Sequence, residues 1–120
     1  MNDTLIFVYN ANSGKANTLL DVYHKMVSPE TYKCNLCKLT HGVFTEHKQW
    51  KRFRKNTAIE MEFLHANEFA QEYKSKFGYT FKFPIVLMRT NDDLEVFITP
   101  KELNEIQELE ALIKLITRRL

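Results

Sequence analysis

The last third of the chain holds the feature that most restricts the fold, a proline followed by two strands and a helix. Pro84 precedes the apolar run Ile85–Met88, which is typical of a strand buried on both faces. Asn91-Asp92-Asp93 has the composition of a turn, and residues 94–98 form the partner strand of a predicted hairpin. Thr99-Pro100-Lys101-Glu102 then predicts a capped helix start. The helix that follows has a sustained apolar face, made by Leu103, Ile106, Leu109, Ile113, Ile116 and Leu120.

The chain also opens with a predicted strand, Leu5–Tyr9, which is an uninterrupted apolar run. Apolar residues at three-to-four spacing then predict an amphipathic helix over 16–27. Ser28-Pro29 has the composition of a second helix start, and the segment from Glu30 to Thr40 is predicted to be helical, with Gly42 as its stop. A helical insertion therefore follows the first strand and its helix.

Three further elements are predicted in the middle of the chain. A helix over Thr45–Lys55 is rich in lysine and arginine, and Ile59–Phe63 alternates apolar and charged residues as a half-buried or edge strand does. Asn67 is predicted to cap a helix that ends at Gly78. The order β-α, helical insertion, β-α, β-β-α predicts one α/β domain over 1–120, with a central four-stranded mixed sheet flanked by helices.

Composition fits a single folded domain and excludes several classes of protein. The 120 residues are 44% hydrophobic with only 3 Gly and 3 Pro, which argues against a disordered or collagenous chain. No apolar run approaches the roughly 20 residues of a membrane span, and the residues before Leu5 lack the basic region of a signal peptide. Because two cysteines cannot build a disulfide scaffold, we expect a cytoplasmic protein. A net charge of +2 is too small to argue for nucleic acid on charge alone, and we do not expect nucleic acid as the partner.

The predicted order of elements, with a proline directly before the third strand, resembles the thioredoxin-like fold. The stretch Tyr79–Ile116 is similar to the C-terminal half of a thioredoxin or glutaredoxin, and the resemblance implies that Pro84 is a cis proline beside the active-site cysteines. In thioredoxins the Cys-x-x-Cys pair directly follows the first strand. Here residues 10–14 hold that place, and Cys34 and Cys37 come about twenty residues later.

The segment Tyr32–Gly42 also resembles a motif, Tyr-x-Cys-Asn-Leu-Cys-x-Leu-Thr-His-Gly, of a small bacterial family whose members share the opening Leu-Ile-Phe-Val-Tyr-Asn-Ala. The family has no established activity, although some members are called GTPases. A P-loop requires Gly-x4-Gly-Lys-Ser/Thr to wrap the phosphates and hold magnesium. Gly14 and Lys15 fit that pattern, but Tyr9 replaces the first glycine and Ala16 the hydroxyl. The sequence therefore argues against a GTPase.

Cys34 and Cys37 are the two cysteines of the chain, and His41 follows four residues after the second. If the segment is helical, all three lie on one face. Thiol–disulfide exchange uses such a pair without a cofactor, because one thiolate attacks a disulfide and its neighbour resolves the mixed disulfide. The thioredoxin resemblance implies that Cys34 is the nucleophile, that Cys37 resolves, and that Pro84 shapes the groove for a protein thiol or disulfide partner.

Two other interpretations of the same residues stay open. Cys-x2-Cys-x3-His supplies three ligands for zinc or iron from Cys34, Cys37 and His41, and the candidates for a fourth ligand are His24, His47 and His65. Alternatively, both cysteines pack as small buried apolar residues, and His41 caps the local structure.

A basic stripe over 48–55 is the remaining candidate for function. Five cations interleave with Trp50 and Phe53, a pattern that binds phosphate backbones in some proteins and forms an ordinary amphipathic helix in more of them. Acidic proteins and nucleic acid are both possible partners of such a stripe. Four carboxylates that follow could neutralise it, namely Glu60, Glu62, Glu68 and Glu72.

Overall fold

The computed structural model describes residues 3–10, 35–41, 46–74, 81–91 and 93–120. The strands in this part are β1 (Thr4–Tyr9), β2 (Glu60–His65), β3 (Ile85–Thr90) and β4 (Asp93–Ile98). They form one sheet in the order β2-β1-β3-β4, in which β1 is parallel to β2 and antiparallel to β3, and β3 is antiparallel to β4. The predictions of a four-stranded mixed sheet, of an α/β fold and of β2 as an edge strand are confirmed.

Helices pack on the sheet, and their bounds differ in part from those predicted. The predicted helix over 16–27, residues 30–34 of the next one and its stop at Gly42 lie outside the described residues. The helical elements that are described are α1 (Asn35–Thr40), α2 (Lys48–Asn56), α3 (Ala66–Phe69) with a π-helical turn at Ala70–Lys74, α4 (Pro100–Glu105) and α5 (Leu109–Arg119).

β1 is apolar throughout because both of its faces are covered. Successive side chains of a strand point to opposite faces, and here the odd-numbered residues of β1 pack against α1, α2, α4 and α5. The even-numbered residues Ile6 and Val8 pack against Phe69 and Tyr73 of α3 and its π-helical turn. Every residue from Thr4 to Tyr9 is buried, which explains why the alternation of a half-exposed strand is missing.

The prediction of one continuous C-terminal helix is wrong. The predicted capping box is present, since the Glu102 N–H donates to the Thr99 side chain at 3.1 Å, but α4 then ends and α5 begins only at Leu109. The side-chain amide of Asn35 donates to the carbonyl oxygens of Leu103 at 2.6 Å and Ile106 at 2.7 Å. These bonds satisfy carbonyls that a helix end leaves open, and so a residue of the Cys-x-x-Cys segment stabilises the break.

The prediction that Asn67 caps the helix after β2 is also wrong. α3 begins at Ala66, and its N-cap is His65, two residues before Asn67. The Glu68 carboxylate accepts the His65 N–H at 2.7 Å, which supplies a partner for a donor at the helix start. The predicted end at Gly78 lies outside the described residues.

The start of β3 and the hairpin turn follow the sequence closely. Asn91 has a φ of 52°, in the left-handed region that asparagine tolerates in turns. The Phe83–Pro84 peptide bond is cis, as the resemblance implies, and Pro84 is buried. None of the helices in the described part is long and apolar enough to span a membrane.

Candidate functional site

The candidate site lies where the parallel strands β1 and β2 end. Their last residues, Tyr9 and His65, are paired across the ladder. Val8 pairs with Ile85, so Pro84 stands at the same end of the sheet, directly before β3. In α/β sheets this carboxyl end of parallel strands is where ligands and reactive groups commonly lie.

Cys37 reaches this region from α1, where it is only 7% exposed and packs in the main hydrophobic core. It is disulfide-bonded in the structure. The sequence holds one other cysteine, Cys34, which lies outside the described residues. The backbone carbonyl of Cys37 accepts the N–H of His41 at 2.9 Å, so His41 follows Cys37 by one helical turn.

Thr40, the last residue of α1, organises the polar groups beside the disulfide. Its side chain is fully buried and donates to the Leu36 carbonyl at 3.0 Å. A hydroxyl has one proton and two lone pairs, so Thr40 accepts from its other partners. These are the Tyr9 hydroxyl and His41 Nδ1, the latter at 2.7 Å. We therefore assign the proton of neutral His41 to Nδ1, which leaves the lone pair on Nε2.

Tyr9 closes the network from the end of β1. Its burial raises the pKa of the phenol to about 12, so the hydroxyl keeps its proton at neutral pH and donates to Thr40. The rings of Tyr9 and His41 meet edge to face with centroids 6.0 Å apart, and the His65 ring lies 6.2 Å from Tyr9 on the β2 side. The phenol thus fixes the imidazole by packing and by the shared threonine.

An ion pair joins Glu46, the bridge partner of His41, to α2. His41 and Glu46 form an isolated antiparallel bridge, and the Glu46 carboxylate binds Arg54 of α2 through two bonds, of 2.6 and 2.8 Å. The hydrogen bond from Arg54 lowers the pKa of Glu46, and His41 and Lys51 act in the same direction. The pair clamps Glu46, and with it the bridge to His41, onto α2.

The described residues contain no cluster of ligands that would support the metal-site interpretation. Within those ranges, no three His, Cys, Asp or Glu side chains are placed to hold an ion together. His47 is exposed at the start of α2, and His65 is bound to Glu68 at 2.8 Å. A metal takes the thiolate form of cysteine, which disulfide-bonded Cys37 does not offer. The candidates Cys34 and His24 lie outside the described residues, as do Gly14, Lys15 and Ala16 of the rejected P-loop pattern.

Sequence reasoning missed several residues that build the site: Tyr9, Thr40, Glu46 and Arg54. Thr40 had a usable signal, because it stands beside His41 in the motif, one turn after Leu36. Tyr9 is the single polar end of an otherwise apolar run. The pairing of Glu46 with Arg54 has no comparable signal, since eight residues separate them and only the fold of the connection brings them together.

A second polar network occupies the opposite end of the sheet. The Tyr73 hydroxyl donates to Glu62 at 2.7 Å and accepts from Arg89, which also donates to Thr4 at 3.3 Å. Thr4 in turn donates to Glu60 at 3.2 Å. Burial, followed by the hydrogen bond to Glu62, raises the pKa of Tyr73. The network therefore consists of a neutral phenol held between opposite charges.

The structure thus brings Cys37, His41 and Pro84 to one end of the sheet, together with Tyr9 and Thr40, which the sequence did not single out. No protein-family description matches the chain, and neither a curated protein nor a solved structure is similar to it.

Proposed function

We propose that the chain is a thioredoxin-like protein that carries out thiol–disulfide exchange through Cys34 and Cys37. The observation that carries this proposal is the disulfide at Cys37 in a chain whose one other cysteine stands three residues earlier. A pair with this spacing can open and close a disulfide with little movement of the backbone, which is the requirement for reversible exchange.

The architecture supports the thioredoxin-like part of the proposal. The sheet is four-stranded and mixed, and the C-terminal unit consists of Pro84, a β-hairpin and helices, as the resemblance to thioredoxins implies. Cys37 lies on an element that precedes β2, and the network around it lies at the sheet end where Pro84 stands. A Cys-x-x-Cys pair that comes later in the chain than in thioredoxins can therefore still act at the same end of the sheet.

Burial supports different roles for the two sulfurs. Cys37 is only 7% exposed, so a partner protein has poor access to it, and we assign it the resolving role. The Cys34 thiolate would attack one sulfur of the partner's disulfide, forming a mixed disulfide and releasing one partner thiolate. Cys37 would then attack the Cys34 sulfur, forming the Cys34–Cys37 disulfide and releasing the second thiolate. Two electrons pass to the partner, and a cytoplasmic dithiol or glutathione-class reductant restores the two thiols.

His41 fits the part of proton acceptor in this scheme. The Thr40 oxygen accepts the Nδ1 proton of His41 and fixes the tautomer of the neutral ring, and a neutral imidazole is a base that can take a proton from a thiol. A protonated His41 would in turn favour the thiolate. Tyr9 and Thr40 act as positioning residues, because they orient the imidazole without touching a partner.

The test is the reduction potential of the purified protein with its exchange activity. Equilibration with glutathione buffers and thiol trapping should give a potential between about −270 and −120 mV, the range of known exchange proteins. Insulin reduction by dithiothreitol should be accelerated by the wild type and by neither Cys34→Ser nor Cys37→Ser. Thiols that resist oxidation, or a disulfide of potential below about −300 mV with no acceleration, would refute the proposal.

A metal determination on the reduced protein distinguishes the main alternative. Elemental analysis of tag-free wild type should give no stoichiometric zinc or iron. About one ion per chain, absent from Cys34→Ser, would make the site a metal centre and overturn the redox assignment.

A further inference from the structure

The exposed face of α2 carries a row of four cations that the cysteine chemistry does not use. Lys48, Lys51, Arg52 and Lys55 follow the i, i+3, i+4, i+7 spacing of one helix face, and all four are exposed. The opposite face is apolar, with Trp50 fully buried. We call these four residues the α2 ridge, which extends about 10 Å along the helix axis.

The carboxylates that the sequence offered to neutralise this ridge are engaged elsewhere. Glu60 binds Thr4, Glu62 binds Tyr73, and Glu68 binds His65. Glu72 belongs to the π-helical turn that packs on the opposite face of the sheet from α2. Within the described ranges, the ion pairs of α2 are those of Arg54 with Glu46, and Arg54 is not part of the ridge. The positive charge of the ridge therefore faces solvent.

A groove continues the ridge at the N-terminal end of α2. It is an open depression of about 460 Å³, bounded by the end of α1, the start of α2 and the α4–α5 break. Lys38, His47 and Lys48 line it, and Leu39 and Leu109 contribute apolar surface. None of the described lining residues is acidic. Lys48 belongs to both the ridge and the groove, so the two form one continuous surface.

We propose that the α2 ridge and this groove bind an acidic segment of a partner protein. Alternate carboxylates of an extended segment lie on one side at intervals of about 7 Å, which is close to the spacing of successive helical turns on the ridge, about 5.4 Å. An apolar side chain of the same segment fits the groove against Leu39 and Leu109. The charge pattern and the mixed lining of the groove together define this partner chemistry.

The same observations argue against single-stranded nucleic acid as the occupant. Stacking of bases requires exposed aromatic rings, whereas Trp50 is fully buried and Phe53 is half-buried against the core. The net charge of +2 also gives little long-range attraction for a polyanion as dense as nucleic acid. The inference does not depend on the cysteines, and Cys34→Ser should leave this binding intact.

The test uses fluorescence anisotropy with two labelled probes, a peptide of alternating glutamate and glycine with one central leucine, and an oligothymidylate of equal charge. We expect saturable peptide binding that weakens as sodium chloride is raised. The double variant Lys51→Glu/Arg52→Glu should weaken it about tenfold or more. The matched control, Lys101→Glu/Arg118→Glu, reverses the same number of exposed charges away from the surface and should change it less than about twofold. Circular dichroism checks that both variants remain folded.

Each other result overturns the proposal. Absence of saturable peptide binding up to about 1 mM shows that the surface does not recognise acidic segments. Equal losses of peptide affinity in the ridge variant and the control show that binding depends on net charge alone and not on the α2 ridge. Tighter binding of the oligothymidylate, lost in the ridge variant alone, assigns the surface to nucleic acid instead.

Discussion

The two ends of the central sheet each bury a tyrosine in a polar network, but the networks are built differently. At the amino end of β1, Tyr73 of the π-helical turn after α3 lies between Glu62 of β2 and Arg89 of β3. At the carboxyl end, Tyr9 is held by Thr40, the last residue of the helix that carries Cys37, and packs against His41, which directly follows that helix.

The difference indicates what each end does. Among the described residues, the amino-end network consists of a phenol, a threonine hydroxyl, carboxylates and a guanidinium that bind one another, and we infer that it stabilises the sheet. The carboxyl end combines a disulfide-bonded cysteine, an oriented imidazole and a phenol that stays neutral because its pKa is about 12. Its cysteine comes from α1, a helix that lies outside the sheet and packs in the main hydrophobic core. Reactive groups are commonly placed in this way on a rigid scaffold.

The largest effect on stability is expected at the amino end. Arg89→Leu removes the cation that binds Tyr73, Thr4 and Glu62, and leaves a partly buried carboxylate without it. We expect the free energy of unfolding to fall by about 3 kcal/mol in urea denaturation. The reduction potential of the disulfide should not change, because the two networks lie at opposite ends of β1.

Arg118→Leu provides the control for Arg89→Leu, since Arg118 is an exposed arginine near the end of α5. It should cost less than about 0.5 kcal/mol. If Arg89→Leu shifted the reduction potential, the two ends of the sheet would be coupled. The assignment of stability to the amino end and of disulfide exchange to the carboxyl end would then be wrong.

At the carboxyl end, Thr40→Val tests the threonine that joins Tyr9 to His41. The change keeps the shape of the side chain but leaves the buried Tyr9 hydroxyl without this acceptor, so stability should fall by about 2 kcal/mol. Disulfide exchange should slow several-fold, because His41 loses the bond at Nδ1. Stopped-flow measurement of exchange with a dithiol, beside urea denaturation, gives both numbers.

Thr117→Val is the matched control for that change. Thr117 makes the same bond to a carbonyl four residues earlier, that of Ile113 at 2.8 Å, but its side chain is exposed. Water replaces the lost bond there, so the cost should stay below about 0.5 kcal/mol with no effect on exchange. Equal costs for the two variants would mean that Thr40 contributes no more than a surface helix bond.

A third variant tests whether the C-terminal helices hold α1 in place. Asn35→Ala removes both bonds to the carbonyls of Leu103 and Ile106, and should lower the unfolding free energy by about 1.5 kcal/mol. We also expect faster amide hydrogen exchange in α1 than in β3. Asn104→Ala, at an exposed position of α4, should leave both quantities nearly unchanged. Uniform acceleration of exchange across the sheet would contradict a local role for Asn35.

The regular part of the fold was predictable because local signals and tertiary structure agree there. The apolar run of β1, the turn at Asn91 and the capping box at Thr99 each specify one conformation with strong local chemistry. The α4–α5 break was not predictable, because an apolar face continues through it and the residue that caps it, Asn35, is 68 positions away from Leu103. The spacing of apolar residues along the chain contains no information about a hydrogen bond from so distant a residue.

The residues of the candidate site likewise include some that the sequence predicts and others that it does not. The Cys-x-x-Cys spacing and His41 stand out in the sequence because few residue types carry this chemistry. The supporting residues do not, since tyrosine, threonine and glutamate occur throughout the chain. The interpretation of Glu60, Glu62 and Glu68 as neutralisers of the basic stripe rested on nearness in sequence. In the structure Glu60 and Glu62 of β2 bind Thr4 and Tyr73, and Glu68 of α3 binds His65.

The smallest expected effect concerns acid and the ion pair of Glu46 with Arg54. Because Arg54 lowers the pKa of Glu46 in the folded state, the pair stabilises the protein above the unfolded value near 4.5, and this contribution is lost as pH falls through the folded pKa. Glu46→Gln should therefore cost about 1 kcal/mol at pH 7, and the difference from wild type should shrink toward zero in strong acid. Urea denaturation at a series of pH values measures it.

Glu102→Gln, which breaks the corresponding pair with Arg119 far from His41, should show the same pH trend, but only Glu46→Gln should alter disulfide exchange. A constant difference at all pH values would mean that Glu46 acts by packing, and equal exchange in both variants would separate the clamp from the chemistry at the carboxyl end.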